Sequence, residues 1–293
     1  MSRLHKIIRI PLTRKYLLFF VFLVLGGWYK NAFLPVKESF YSNTQLYFLF
    51  FYPLLGGFLG FLFDKVCRKK FVYSNAFFGV LFSLGLPIST PLSVFVIACF
   101  LLFFLNTFFI QKKDWDLHVV VFLHLLLVGY LFFSQQYEYS NLLEKSGLFV
   151  YTFLDQLLGF QRSGLFTSSV VLLLFSFLVL CFDYYYKKEI PLTSYGFYLL
   201  TLVLYSFWKM DMAFLLTHVF SSTVLFVLVF LAPLDLFSPY SKKRKTMYSF
   251  LLGVGILPFS LWTNFYEGVY FSLFLANLLI ILLNAIQNRL FRS

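Results

Sequence analysis

Charged residues are scarce in this sequence, and acidic residues are the scarcest. Of 293 residues only 12% are charged, with 12 Asp and Glu against 24 Lys and Arg, whereas about a quarter of the residues of a soluble domain are charged. Hydrophobic residues make up 60% of the chain and the mean hydropathy is +0.83. This composition excludes an ordinary soluble domain and indicates an integral membrane protein.

Carboxylates are missing from the interior of the long apolar runs. All 12 lie at the ends of these runs or in loops: Glu38, Asp64, Asp114, Asp116, Glu138, Glu144, Asp155, Asp183, Glu189, Asp211, Asp235 and Glu267. Ion and proton carriers usually keep an ionisable group inside the helix bundle. We therefore expect this chain not to act as a pump by itself, and we favour a role within a larger assembly.

Residues that bind redox metals are also few. The three cysteines, Cys67, Cys99 and Cys181, contain no CxxC pair, which argues against an iron–sulfur cluster, a zinc site or a disulfide framework. His124 and His218 fall at different depths of their apolar runs, and a haem shared by two histidines needs both at one level. We expect no haem, no iron–sulfur cluster and no metal site.

Apolar runs long enough to cross a membrane recur along the whole chain. They are continuous rather than alternating, which favours helices over a transmembrane β-barrel. The run that begins at Tyr16 lacks a small-residue cleavage site, so we expect it to be retained. The sequence predicts an all-α fold, a single polytopic membrane domain over residues 1–293 with about ten transmembrane helices, at 16–34, 46–63, 71–88, 91–110, 117–133, 164–182, 192–208, 212–232, 246–263 and 268–287.

Basic residues give this arrangement an orientation. Of the 24 Lys and Arg residues, 19 fall on one face if 134–163 does not cross the membrane. Its apolar part, 148–160, is short and interrupted by Asp155. The positive-inside rule then places both termini in the cytoplasm, with 1–15 as a basic cytoplasmic tail and 134–163 as a non-cytoplasmic loop with an interfacial or re-entrant segment. Because the positive charge is spread over helix ends and not gathered in one groove, a nucleic-acid partner is not expected.

Two local motifs concern packing. The small residues of Gly56-Gly-Phe-Leu-Gly60 permit close helix approach, and we favour packing within the chain over a dimer interface. Pro87 and Pro91 predict a tight turn between the third and fourth predicted spans. Neither motif indicates a function.

Four spaced blocks carry more information. They are Gly79–Pro87; Ser163 with Thr167 and Ser168, whose helix is followed by Glu189-Ile-Pro-Leu192; Ala232–Pro239; and Glu267–Asn277. Together they resemble the family that contains the D subunit of the Rnf-type electron transport complex and the B subunit of the sodium-translocating NADH:quinone reductase. The resemblance covers about residues 60–290. Its most specific part is the last block, where Glu267, Gly268, Val269, Phe271, Leu275 and Asn277 are in register.

The resemblance implies a membrane subunit of an ion-translocating electron transport complex, which relays electrons through FMN or riboflavin in the bacterial cytoplasmic membrane. Its expected partners are the other subunits of that complex and the lipid bilayer. The candidate cofactor-binding residues are Ser163, Thr167, Ser168, Glu267 and Asn277. We expect them at helix starts near the non-cytoplasmic surface, where helix N-termini attract phosphate. The alternative is that they only cap helices.

The sequence departs from the family where the family binds FMN covalently. The family's S/T-G-A-T motif supplies a threonine for the phosphoester, but the nearest approach in this chain is Ser146-Gly-Leu-Phe149, which has no threonine at the motif position. Phe166 also stands where the family has a glutamate, and Asp235 is displaced by one place. These departures argue against covalent FMN. They leave a second hypothesis open, a flavin-less scaffold or small-molecule transporter on the same fold.

Overall fold

The computed structural model describes residues 4–33, 50–67, 75–87, 90–105, 107, 126, 153–159, 163–234, 242–263 and 265–290. Regular structure in these residues is entirely helical, which confirms the predicted all-α class. The α-helices are α1 (Leu4–Trp28), α2 (Phe51–Cys67), α3 (Asn75–Leu84), α4 (Leu92–Phe104), α5 (Phe153–Leu158), α6 (Val170–Cys181), α7 (Glu189–Lys209), α8 (Met212–Val219), α9 (Ser222–Phe226), α10 (Lys242–Trp262) and α11 (Phe265–Leu290). Wider π-helical turns follow α1 at Tyr29–Phe33 and α9 at Val227–Leu231.

Several of these helices are apolar enough to lie in a bilayer. Lys15–Phe33, Glu189–Lys209 and Met212–Leu231 are also long enough to cross one, and Asn75–Leu84, Leu92–Phe104, Val170–Cys181 and Glu267–Ile280 are shorter apolar helices. The membrane character predicted from composition is therefore supported, while the count of ten spans stays a prediction. The predicted span 117–133, apart from Leu126, lies outside the described residues.

The chain divides into two compact units. Unit 1 comprises Met1–Tyr186 with Phe220–Leu225, and unit 2 comprises Lys187–Val219 with Phe226–Ser293. The prediction of one domain over 1–293 remains a prediction, and each unit is described by itself.

In unit 1, α2 and α3 pack with their backbones in contact. A Cβ atom on Gly56 would lie 2.6 Å from the carbonyl oxygen of Gly79, and one on Gly60 would collide with the backbone of Asn75. The two helices are also joined where Asp64 accepts hydrogen bonds of 2.9 Å and 2.7 Å from the main-chain and side-chain amides of Asn75. The glycine motif therefore packs within the chain, as expected.

Two helices of unit 1 are shorter than the spans predicted for them. α3 has 10 residues and α6 has 12, against predicted spans of 71–88 and 164–182. Helix α3 stops because Gly85, Leu86 and Pro87 leave the helical path, and the chain then turns with the Thr90 N–H donating to the carbonyl oxygen of Pro87 at 3.2 Å. This is the tight turn predicted between Pro87 and Pro91. Helix α6 starts late because residues 163–169 are not helical.

An ion pair marks one edge of unit 1. The Nζ atom of Lys15, in α1, lies 2.8 Å from Oδ2 of Asp183, which follows α6. The predicted orientation puts both residues on the same membrane face, and counting 147–160 as a further span would have put them on opposite faces. The ion pair agrees with the first arrangement. Within 134–163 the structure describes a helix of six residues, α5, which is too short to cross a bilayer; Ser134–Thr152 lies outside the described residues.

Unit 2 contains a packed group of long helices, α7, α10 and α11. Small residues again allow close approach, because a Cβ atom on Gly253 would collide with the carbonyl oxygen of Ser194, and one on Gly268 with the backbone of Ser260. The Ser272 hydroxyl donates to the carbonyl oxygen of Leu252 at 2.8 Å, which joins α11 to α10.

The predicted span 212–232 is interrupted. Helix α8 ends at Val219, and two tyrosines of α7 donate hydrogen bonds to the carbonyl groups at its end. The hydroxyl of Tyr195 donates to the carbonyl oxygen of Val219 at 2.7 Å, and that of Tyr198 donates to the carbonyl oxygen of His218 at 2.8 Å. Carbonyl groups at a helix end lack partners within the helix. In a lipid environment they need partners from the protein, and α7 provides them.

Candidate functional site

A buried polar region lies where three segments of unit 1 meet. We call it the polar crossing and define it as Lys30 and Asn31, Leu84–Leu86, and Ser163–Ser169. The main chain joins two of these segments, since the N–H of Leu165 donates to the carbonyl oxygen of Leu86 at 2.7 Å and the N–H of Phe166 donates to that of Leu84 at 3.0 Å. These bonds hold 163–169 in a non-helical form until α6 begins, with a turn at Leu165 and Phe166 in which the N–H of Thr167 donates to the carbonyl oxygen of Gly164 at 3.4 Å.

Two polar side chains come from the π-helical turn after α1. Lys30 is 4% exposed and Asn31 is 1% exposed. The Lys30 ammonium donates to the Ser163 hydroxyl at 3.4 Å, and the Asn31 amide donates to the carbonyl oxygen of Leu165 at 2.6 Å. Single π-helical turns often occur at functional sites. Here the turn places an amino group and an amide against the non-helical segment 163–169.

Glycines bring the backbones of the polar crossing into direct contact. A Cβ atom on Gly27 would lie 2.6 Å from Cα of Phe166, and one on Gly164 would lie 2.8 Å from the carbonyl oxygen of Gly85. Gly159, which follows α5, has a positive φ of 94° and packs equally closely on Ser168. A methyl group has no room at these positions, so the crossing has no room for a bulky ligand between these backbones.

The helix lengths give the distance of this region from the ion pair between Lys15 and Asp183. Lys30 lies about 22 Å along α1 from Lys15, and Val170 lies about 20 Å along α6 from Asp183, at about 1.5 Å per residue. The hydrocarbon core of a bilayer is about 30 Å thick. The polar crossing therefore lies about 20 Å from that ion pair along both helices. The position near the non-cytoplasmic surface expected for Ser163, Thr167 and Ser168 stays a prediction.

The five candidate residues fall into two groups. Ser163, Thr167 and Ser168 lie on the non-helical segment 163–169 of unit 1 and are at most 1% exposed. They precede the N-cap of α6, which is Ser169, whose hydroxyl accepts from the N–H of Leu172 at 3.4 Å. Helix capping in this block is therefore performed by Ser169, which the sequence analysis did not single out.

The other two candidates are on α11 in unit 2. Glu267 is in the first turn of this helix and 6% exposed, a position where the helix dipole favours a carboxylate. Asn277 is 2% exposed, and its amide donates to the carbonyl oxygen of Leu273 one turn earlier at 2.8 Å. The cofactor role expected of all five residues stays a prediction.

Further buried polar residues of unit 1 escaped the sequence analysis, among them Lys30 and Asn31 of the polar crossing. Lys30 was assigned to the non-cytoplasmic surface by charge sorting, and Gln156, Ser222 and Thr223 were not considered. A Lys-Asn pair directly after an apolar run with two glycines was the signal for Lys30. No local signal marked the other three, because their burial depends on contacts made by distant parts of unit 1. Among the described residues no group of three His, Cys, Asp or Glu side chains is placed to hold a metal ion.

Comparison with known families decides the relationship that the four blocks indicated. The sequence model of the NQR2, RnfD, RnfE family matches residues 133–292, more than half of the chain. The chain belongs to the NQR2, RnfD, RnfE family. No curated protein matches the sequence significantly. The family match confirms the resemblance, and with the apolar helices it identifies a membrane protein of the kind found in Rnf and Nqr complexes.

The matched range includes three of the four blocks and all five candidate residues. Of the polar crossing it includes only 163–169, since Lys30, Asn31 and α3 precede residue 133. The family relationship therefore says nothing about Lys30, and any role for it must be argued from the structure.

Proposed function

We propose that this chain is a membrane subunit of an ion-translocating electron transport complex of the Rnf or Nqr kind in the bacterial cytoplasmic membrane, and that it relays electrons through FMN or riboflavin. The observation that carries the proposal is the family match over 133–292. The described part of the chain supports it in one respect. Its regular structure is helical throughout, as a membrane subunit requires. We assign the binding of a soluble electron donor to partner subunits.

Covalent FMN does not fit the candidate residues. Thr167 is the threonine among them, and it is 0% exposed. A phosphoester link requires a hydroxyl that the flavin-transferring enzyme can reach, and the motif that this enzyme recognises is missing around Thr167. A flavin held without a covalent bond is the form that remains.

The polar crossing does not fit a flavin ring either. The backbones of Gly27, Gly159 and Gly164 lie so close to their neighbours that a single methyl group would collide, and an isoalloxazine has three fused rings. A bound flavin would supply one- and two-electron redox chemistry. We propose it for the chain as a whole without assigning it to the crossing.

The test is to purify the chain from its native membrane and to measure flavin in two fractions. Denatured protein on a gel reports covalent flavin by fluorescence, and the acid-soluble extract reports released flavin. We expect released flavin near one mole per mole of chain and no fluorescent band. The variant Ser176→Ala serves as a control and should keep its flavin, since its hydroxyl donates only to the carbonyl oxygen of Leu172 in its own helix and it is not a candidate cofactor-binding residue.

The absence of the threonine motif also favours the second candidate, a flavin-less scaffold or small-molecule transporter. Lack of flavin in both fractions, with the partner subunits still bound, would overturn the relay and leave the scaffold. Lack of both flavin and partners would leave the transporter.

A further inference from the structure

Six basic residues lie at one end of unit 2. We call this the basic end and define it as Lys187, Lys188 and Lys242–Lys245, which stand at the starts of α7 and α10. The two starts lie side by side, because Nζ of Lys245 is 3.2 Å from Oε2 of Glu189. The first turn of α10 contains no acidic residue, although the positive end of a helix dipole favours anions over cations. Positive side chains are therefore concentrated where the helix itself is also positive.

The described part of unit 2 does not neutralise this charge. Its carboxylates are those of Glu189, Asp211 and Glu267. Asp211 follows the far end of α7, a helix of 21 residues and about 30 Å. Glu267 adjoins Gly268, which packs against Ser260 near the far end of α10. Glu189 is left to balance six basic residues, and its side chain is itself 65% exposed. The basic end therefore suits an anion from outside the chain.

Helix α7 gives the level of the basic end in the membrane. Glu189–Lys209 is apolar and long enough to cross a bilayer, so its first residue lies near one membrane surface, at the level of the lipid headgroups. Because Lys245 contacts Glu189, the start of α10 lies at the same level. Lys188 and Lys243 flank this contact and are exposed, and the described part of the chain pairs neither with a carboxylate. Their flexible side chains can bring two ammonium groups to one phosphate.

An exposed apolar stripe continues from the basic end. Lys243, Met247 and Phe250 follow one another at intervals of four and three residues, so they share one face of α10. Met247 is 36% exposed and Phe250 is 46% exposed. The ring of Phe250 contacts that of Phe197 in α7, with 5.2 Å between centroids, so the stripe runs beside the contact between the two helices. Positive charge above an apolar stripe matches a phospholipid in both its phosphate and its acyl chains, whereas an acidic protein surface matches only the charge.

We propose that Lys188 and Lys243 bind the phosphate of one anionic phospholipid, and that an acyl chain of this lipid lies along Met247 and Phe250. A zwitterionic lipid fits less well, because the ammonium group of its headgroup is repelled by the basic end. The bound lipid bridges the starts of α7 and α10, and it stays in one place while the surrounding bilayer exchanges. This inference does not rest on the proposed function, since lipid binding requires neither flavin nor partner subunits.

The experiment measures the unfolding temperature of the full purified chain, freed of native lipid in a neutral detergent. Phosphatidylglycerol, phosphatidylcholine and inorganic phosphate are the probes. A ligand that binds only the folded state raises this temperature with the logarithm of its concentration. We expect the rise with phosphatidylglycerol to begin at a concentration about ten-fold below that of phosphatidylcholine, and no rise with inorganic phosphate. Equal effects of the two lipids would overturn the proposal, and so would an equal effect of inorganic phosphate, which would show a site for a free anion.

Variants locate the site. Lys243→Gln should weaken phosphatidylglycerol binding about five-fold, the usual contribution of one basic residue near an anionic membrane surface, and Lys243→Arg should retain the affinity. Lys209→Gln is the matched control, because it removes an exposed lysine from the opposite end of α7, where Nζ lies 4.5 Å from the centre of the Trp208 ring. It should leave the affinity unchanged. Equal weakening in Lys209→Gln and Lys243→Gln would show an effect of net charge alone and would contradict the site.

An acidic surface of another protein is the alternative occupant of the basic end. It would be indicated if Lys243→Gln released partner subunits in pull-downs from the native membrane and kept its affinity for phosphatidylglycerol. That result would refute the lipid site. Loss of lipid affinity with the partners retained would support it, and either result can be obtained whether or not the chain contains flavin.

Discussion

The side-chain amide of Asn31 donates a hydrogen bond of 2.6 Å to the carbonyl oxygen of Leu165, a residue 134 positions further along the chain. Replacing Asn31 by Leu leaves this carbonyl group buried without that donor. Such a loss costs about 1–3 kcal/mol, and we expect a destabilisation of this size in denaturant or thermal unfolding. Ser176→Ala is the control, because its hydroxyl donates only to a carbonyl group one turn earlier in its own helix. Similar losses in both variants would show that Asn31 has no special role in the polar crossing.

The contact between α2 and α3 makes a prediction about glycine. Gly56→Ala and Gly79→Ala each place a methyl group against the backbone of the other helix, so we expect both to destabilise the protein by about 1–3 kcal/mol, as overpacking usually does. Gly196→Ala in α7 is the matched control, since a Cβ atom there meets nothing within 4 Å. It should stabilise the helix by about 0.5–1 kcal/mol. Unfolding measurements on the three variants should therefore differ in sign.

The ion pair between Lys15 and Asp183 should matter more than the one between Lys245 and Glu189. The carboxylate side chain of Asp183 is 6% exposed and that of Glu189 is 65% exposed, and Asp183 also accepts from the N–H of Tyr185 at 2.9 Å. Asp183→Asn should cost about 1–3 kcal/mol, whereas Glu189→Gln should cost less than about 1 kcal/mol, as exposed ion pairs do. A loss in Glu189→Gln as large as that in Asp183→Asn would contradict this ranking of the two pairs.

The predicted orientation can be tested with single cysteines. Tyr184 is 91% exposed and Met210 is 92% exposed, and the sequence places them on the cytoplasmic and the non-cytoplasmic face. In a chain whose native cysteines are replaced by serine, Met210→Cys should react with a membrane-impermeant maleimide on intact cells. Tyr184→Cys should react only in inverted vesicles. The reverse pattern would mean that the face with most of the basic residues is not the cytoplasmic one.

Sequence patterns predicted what depends on local chemistry. The apolar runs predicted helices, and Gly56–Gly60 predicted a close contact between two helices. Pro87 predicted the turn that follows the end of α3. The non-helical form of 163–169 was not predictable in the same way. Its hydrogen bonds go to Leu84 and Leu86, some 80 residues earlier, and in isolation an apolar segment with serines resembles the start of a helix.

The candidate site was predicted only in part, for the same reason. Ser163, Thr167 and Ser168 were found through a family pattern, and they are buried together. The positive-inside rule assigned Lys30 to the membrane surface, because that rule counts basic residues without regard to the helix that carries them. A lysine inside a span is visible only once α1 continues past it into the π-helical turn.

The two hydrogen bonds between 163–169 and the end of α3 have both donor and acceptor in the main chain. Main-chain groups are the same in nearly every residue, so these bonds persist through most substitutions, provided that Gly27, Gly85 and Gly164 keep their backbones close. A junction of this kind depends on where the backbones lie more than on which side chains they carry.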